Sequence, residues 1–122
     1  MKNPITNITY TRSDEKDLDI IAPLWRKLTL HHKERSLHFK EHFDQITWEK
    51  RKQELLNKSS NGDMLVGLAR DVITGKLVGY CVSTVDEKKH AELESIFIEA
   101  EYRESGIGDY FMKKAIDWMN RQ

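Results

Sequence analysis

The chain has 122 residues and a mass of 14.4 kDa, enough for one domain and too few for two independent cores. Its 20 Lys+Arg balance 20 Asp+Glu, so total charge gives no reason to expect a nucleic-acid or membrane-surface partner. Cys81 is the single cysteine, which excludes an internal disulfide and a cysteine-based zinc site. No apolar run reaches the roughly 18 residues of a membrane span, and MKNPITNITY lacks a signal peptide's apolar segment. The expectation is a soluble, cytoplasmic single domain over residues 1–122.

The charges are unevenly placed. Residues 1–61 carry 12 basic and 9 acidic side chains, and residues 62–122 carry 8 and 11. Between His90 and Glu104, five glutamates (Glu92, Glu94, Glu99, Glu101, Glu104) face only Arg103. Such a field suits a cationic small molecule, though a solvated strand edge kept soluble by charge explains it equally well.

In chain order, Ile5–Thr11 alternates apolar and polar residues and predicts a short first strand. Ser13 or Asp14 offers an N-cap, after which Leu18, Ile21, Leu24, Trp25 and Leu28 mark one face of a helix. Pro23 falls inside that pattern and predicts a bend or a late helix start. A second helix is expected from about Glu41 to Lys58, with Phe43, Ile46, Leu55 and Leu56 as its stripe. Met64–Val72 and Lys76–Val85 read as two strands around a short hairpin connection at Ile73–Lys76, and Glu92–Ile98 as a third. A final helix spans about Ile107–Asn120, with Phe111, Met112, Ala115, Ile116 and Met119 on one face. The order predicts an α/β (α+β) layer arrangement, an antiparallel meander covered by helices.

Chemistry concentrates where the third of these strands meets the last helix. Ile96-Phe97-Ile98 runs into Arg103-Glu104-Ser105-Gly106-Ile107-Gly108, two glycines one residue apart at a helix start. Amides in a helix's first turn lack internal partners and sit at the positive end of the macrodipole. Strand, glycine loop and helix start together make an anion site, with a pyrophosphate as its natural occupant and Arg103 as a further contact. A tight strand-to-helix turn explains a bare Gly-x-Gly as readily. A triphosphate loop is excluded because no Gly-Lys-Ser/Thr follows, and a dinucleotide-binding turn because the third glycine is absent.

The segment Arg103–Gly108 resembles the Arg/Gln-x-x-Gly-x-Gly/Ala signature of the GNAT superfamily of N-acetyltransferases. Leu93-Glu94-Ser95-Ile96-Phe97-Ile98 with Glu101-Tyr102 is similar to that family's fourth strand and loop approach, and Leu77-Val78-Gly79-Tyr80 to its third strand. Leu24–Leu28 with His31-His32 is similar to its first helix. The resemblance implies a mixed, mainly antiparallel sheet flanked by helices, and an acetyl-CoA-dependent N-acetyltransferase acting on a primary amine of a small molecule or peptide. It implies that amides from Arg103 to Gly108 hold the CoA pyrophosphate. Main-chain groups of Ile96, Phe97 and Ile98 would bond the pantetheine arm, and the amide near Ile98 would polarise the thioester carbonyl. An ammonium must lose a proton before it can attack, and Glu92 and Glu94 are the candidate bases. Alternation puts both on one strand face unless a bulge intervenes, and Glu94 is preferred as nearer the expected thioester.

The family pattern continues past the helix near Asn120 with a fifth strand, a fourth helix and a closing hairpin. The resemblance therefore implies a chain lacking the C-terminal part of the domain, with Glu92–Ile98 as an exposed sheet edge through which a homodimer could form. The alternative expectation is a non-catalytic CoA-binding or dimerisation module of the same fold. His31, His32, His38 and His42 are read as helix-loop surface, with no metal expected, and His31 and His32 as possible lining of the amine pocket. Lys50–Lys52 reads as an exposed helix face, Trp25, Trp48 and Trp118 as core, and Cys81 as packing.

Overall fold

The computed structural model describes residues 7–35 and 47–122, the side chains of 32–35 excepted. Strand β1 (Ile8–Ser13) leads into a 3-10 segment, Glu15–Ile21, and then helix α1 (Ala22–Arg35). Helix α2 (Trp48–Ser59) precedes the strands β2 (Asp63–Asp71), β3 (Leu77–Val85) and β4 (Ala91–Ile98). A 3-10 turn at Ala100–Tyr102 leads to the last helix, α3 (Ile107–Arg121). The four strands form one antiparallel sheet in the order β1-β2-β3-β4.

Local chemistry explains several boundaries. Asp14 caps the 3-10 segment by accepting from the Lys16 amide at 3.0 Å. Pro23 then stands at the second residue of α1, where a missing N–H costs nothing, so the expected late helix start is found. Thr47 caps α2, its hydroxyl accepting from Lys50 N at 3.2 Å, an interaction typically worth about 1 kcal/mol. The expected second helix thus begins at Trp48 among the described residues. Residues 41–46, with Phe43 and Ile46, lie outside them, as do the first residues of the expected initial strand. At the β2–β3 connection the Asp71 carboxylate accepts from the Ile73 amide at 2.8 Å, and Gly75 takes the left-handed φ of 73° that closes the turn.

The sheet separates two apolar layers. On one face the 3-10 segment, α1 and α2 pack Leu18, Ile21, Trp25, Trp48 and Leu55 against Val66, Leu68, Tyr80, Val82 and Phe97. Burial pushes the Tyr80 phenol up to about 12, and the ring ends in a 2.7 Å hydrogen bond with Ser95. On the other face α3 packs Ile107, Phe111 and Ala115 against Ala69, Val78 and Cys81. Cys81 is a buried core residue whose thiol is driven up to about 11 by burial.

The expected buried stripe of the last helix needs correction. Ile107, Phe111, Ala115 and Trp118 are buried, whereas Met112 and Ile116 are 40% and 51% exposed. Gly108, one turn before Met112, lies against Ile98 of the outermost strand, so the Met112–Ile116 side of the helix looks past the sheet.

Candidate active site

Strand β4 is an edge, and its irregularity organises the site. Val82 pairs with Ser95 and Ser83 with Leu93, which leaves Glu94 as the extra residue of a bulge. Its carbonyl accepts from Arg51 Nη2 at 2.9 Å instead of entering the ladder. The Glu94 side chain turns towards α2 and is only 3% exposed. It accepts from Thr84 Oγ1 at 2.7 Å and from Lys58 Nζ at 3.0 Å, with Arg51 Nη2 at 3.7 Å. Burial pushes the carboxyl up, but the Thr84 and Lys58 hydrogen bonds and the two cations outweigh it and hold the group below its usual value. Glu92 lies on the same face and also reaches Lys58 Nζ, at 2.9 Å, but its side chain is 58% exposed. Despite the bulge, the two glutamates still meet on one cation, Lys58.

Sequence reasoning did not find Arg51, Lys58 or Thr84. Arg51 and Lys58 are seven residues apart, two helical turns on one face of α2, which was a usable signal. Their presence corrects the expectation of a free acidic field. Glu92 and Glu94 share Lys58, while Glu99 pairs with Lys27 at 2.9 Å and Lys76 at 3.7 Å. The acids cluster in sequence, but helices and the hairpin supply a cation for three of the five.

Further along β4, the Glu99 amide donates to Val78 O at 2.8 Å. By antiparallel alternation Phe97 also turns its main-chain groups towards β3, and Ile96 and Ile98 turn theirs to the open edge. Ile98 O is already used, accepting from Arg103 Nε at 2.9 Å, and the Arg103 guanidinium lies 5.7 Å from the Phe97 ring centre. Of the three residues expected to offer main-chain groups, two face outward.

The loop between the 3-10 turn and α3 is tied down at its base. Tyr102 donates to Asp71 at 2.6 Å, and Ser105 Oγ donates to Tyr102 O. Glu104 and Gly106 both hold left-handed backbone, with φ of 68° and 92°. For glutamate that conformation is uncommon and strained. The Arg103 amide donates to Ala100 O at 3.3 Å, and α3's first bond runs from Tyr110 N to Gly106 O at 3.0 Å. The amides of Glu104, Gly106, Ile107 and Gly108 have no acceptor among the described residues, while that of Ser105 closes the turn over Arg103-Glu104. Ile107 contributes its amide alone, since its side chain is buried. A strand end, two left-handed residues and a helix start thus leave four donors in this loop without an acceptor among the described residues.

Residues 25–122 match the acetyltransferase (GNAT) family. The chain belongs to that family. A comparison with curated proteins finds no match. Among solved structures, this GNAT chain is similar to the aminoglycoside acetyltransferase meta-AAC0020 from an uncultured soil metagenomic sample, solved with sisomicin. Identity is 19% and the TM-score 0.62, over 94% of this chain and 71% of that one. It is also similar to AAC(6')-Iy in complex with a CoA-S-monomethyl-acetylneamine bisubstrate analogue, at 13% identity and TM-score 0.58 over 95% and 74% of the two chains. A GNAT acetyltransferase from Streptococcus pneumoniae is 22% identical, with TM-score 0.55 over 93% and 67%. At these identities the neighbours establish the fold, a GNAT sheet with flanking helices, as the resemblance implied. The helical His31 lies within the described residues, whereas His38, His42 and the His32 side chain do not. Among the described residues no three His, Cys, Asp or Glu side chains gather as metal ligands, and no helix is long and apolar enough to cross a membrane.

Proposed function

We propose that this GNAT chain uses acetyl-CoA to acetylate a primary amine of a small molecule or peptide. The observation that carries the reading is the group of amides at Glu104, Gly106, Ile107 and Gly108 without an acceptor among the described residues, which suits a doubly charged pyrophosphate. Ile96 and Ile98 would bond the pantetheine arm along the open edge, and the Ile98 amide would polarise the thioester carbonyl. A base first takes the ammonium proton, the freed nitrogen then bonds to that carbon as the C–S bond breaks, and the nitrogen's second proton leaves with the thiolate as CoA thiol. Two structural neighbours solved with sisomicin and an acetylneamine conjugate make amine-bearing sugars the first acceptors to try.

Glu92 fits the role of base better than Glu94. It is the more exposed and has one partner, whereas Glu94 is closed in by Thr84, Lys58 and Arg51 and holds its negative charge too firmly to take a proton readily. A second reading, CoA binding without turnover, draws on Lys58 occupying both carboxylates.

Calorimetry with acetyl-CoA, followed by thiol release over aminoglycosides, polyamines, amino acids and peptides, tests both readings. Gly106→Trp should abolish binding while circular dichroism stays unchanged. Glu92→Gln should bind acetyl-CoA normally and lower kcat/KM by about 10²-fold or more. No binding at millimolar acetyl-CoA would end both readings, and binding without thiol release on any amine would leave the second.

A further inference from the structure

A hollow lies on the α3 face of the sheet, away from the Gly106 loop, between α3 and the opposite edge strand. Its volume is about 220 Å³, below the roughly 300–1,000 Å³ usual for drug-sized ligands. Tyr10 and Arg12 alternate onto this face from β1, opposite Ala69 and Gly67. From α3, Tyr110, Lys114, Asp117, Trp118 and Arg121 line the other wall at helical spacing. Gly67 leaves the floor open beside Phe111. A Cβ there would stand 3.1 Å from the Phe111 ring, so the aromatic ring lies directly on the strand.

The lining has two halves with different chemistry. Tyr10 and Tyr110 stack with centroids 3.6 Å apart, and Tyr10 meets Phe111 edge-on at 5.9 Å, which fixes one apolar end. Buried Leu65 and Trp118 continue that floor. The rim is cationic, with Arg12, Lys114 and Arg121 against the single acid Asp117. None of these four makes an ion pair among the described residues, and the Lys114 ammonium instead rests 5.5 Å from the Tyr110 ring centre. In a chain of zero net charge, three cations against one acid around an aromatic floor are a local excess of positive charge.

The geometry points to a binding site for a small organic anion with a flat apolar body, an aromatic carboxylate, held by Arg12, Lys114 and Arg121 over Phe111 and Trp118. The carboxylate would take charge-assisted bonds from the rim, and the ring would lie on the aromatic floor. The hollow and the Gly106 loop use opposite strand edges, so a ligand here need not compete with acetyl-CoA.

Calorimetry and amide-shift mapping on the intact chain test the assignment, with benzoate and indole-3-acetate as probes. Benzylamine, with a ring and the wrong charge, and inorganic phosphate, with charge and no ring, are the controls. The aromatic carboxylates should bind and shift Gly67 and the Trp118 indole while leaving Gly106 unmoved. The double variant Arg12→Ala/Lys114→Ala, at two exposed positions, should melt like the parent and bind about tenfold more weakly or worse. Failure of both carboxylates at millimolar concentration, equal binding of benzylamine or phosphate, or unchanged affinity in the double variant would overturn it. Acetyl-CoA binding by the same samples is measured separately, so the two sites stand or fall independently.

Discussion

A carboxylate that accepts from a hydroxyl and an ammonium, with a guanidinium beside it, is fixed in its ionised form, and Glu94 is such a group. Its pKa is lower folded than unfolded, so the ionised group stabilises the native state above its ordinary value of 4.5. That contribution disappears as pH falls through the depressed native value. Replacing Glu94 with Gln should therefore cost about 1–3 kcal/mol at neutral pH, less than for a fully buried pair because Lys58 is 44% exposed and keeps Glu92. The difference between parent and Glu94→Gln in urea denaturation should shrink steadily in acid. A difference independent of pH would mean that shape, not charge, fixes this side chain. The sequence placed both glutamates on one strand face, and the fold brings them there. It could not show that Lys58 and Arg51 arrive from a helix more than thirty residues earlier, because that contact depends on how α2 lies across the sheet.

The last helix and the strand beneath it show what periodicity decides and what it leaves open. Phe111 and Ala115 were expected in the buried stripe and are there. A repeat of 3.6 residues allows the stripe to rotate by one position, and the sheet selected Ile107 and Trp118 over Met112 and Ile116. Which rotation wins depends on where the underlying strands end, and that information is not local. Gly67 belongs to the same contact. Gly67→Ala would push a methyl group into the Phe111 ring, now 3.1 Å from the Cβ position, and should destabilise by about 1–3 kcal/mol in urea denaturation. An unchanged midpoint would mean the ring can slide away freely. The β2–β4 meander, the hairpin turn at Gly75 and the cap at Asp14 were legible, since alternation, glycine and side-chain acceptors act over a few residues. The bulges at Val78 and Glu94 were not, because each arises from matching two strands. The left-handed Glu104 was equally hidden, since nothing in a glutamate's identity announces that backbone.

At the scale of the molecule, β4 presents one open edge that two partners would use. The pantetheine arm proposed above and a second copy of the chain would both bond the same row of outward main-chain groups at Ile96 and Ile98. We propose that the free protein self-associates through this edge. Light scattering at tens of micromolar should then give a mass above one chain that falls towards one chain as acetyl-CoA saturates. A constant single-chain mass would remove the dimer, and a dimer indifferent to acetyl-CoA would place its interface elsewhere. The strand order carries a further consequence, in time. Strands β2, β3 and β4 follow one another through residues 72–76 and 86–90, and closing such short connections is cheap in chain entropy. Strand β1 meets β2 only across residues 14–62, so it is expected to dock late in assembly, after the meander has formed. The wall of the aromatic hollow that holds Tyr10 and Arg12 is thus expected to be the last to be raised.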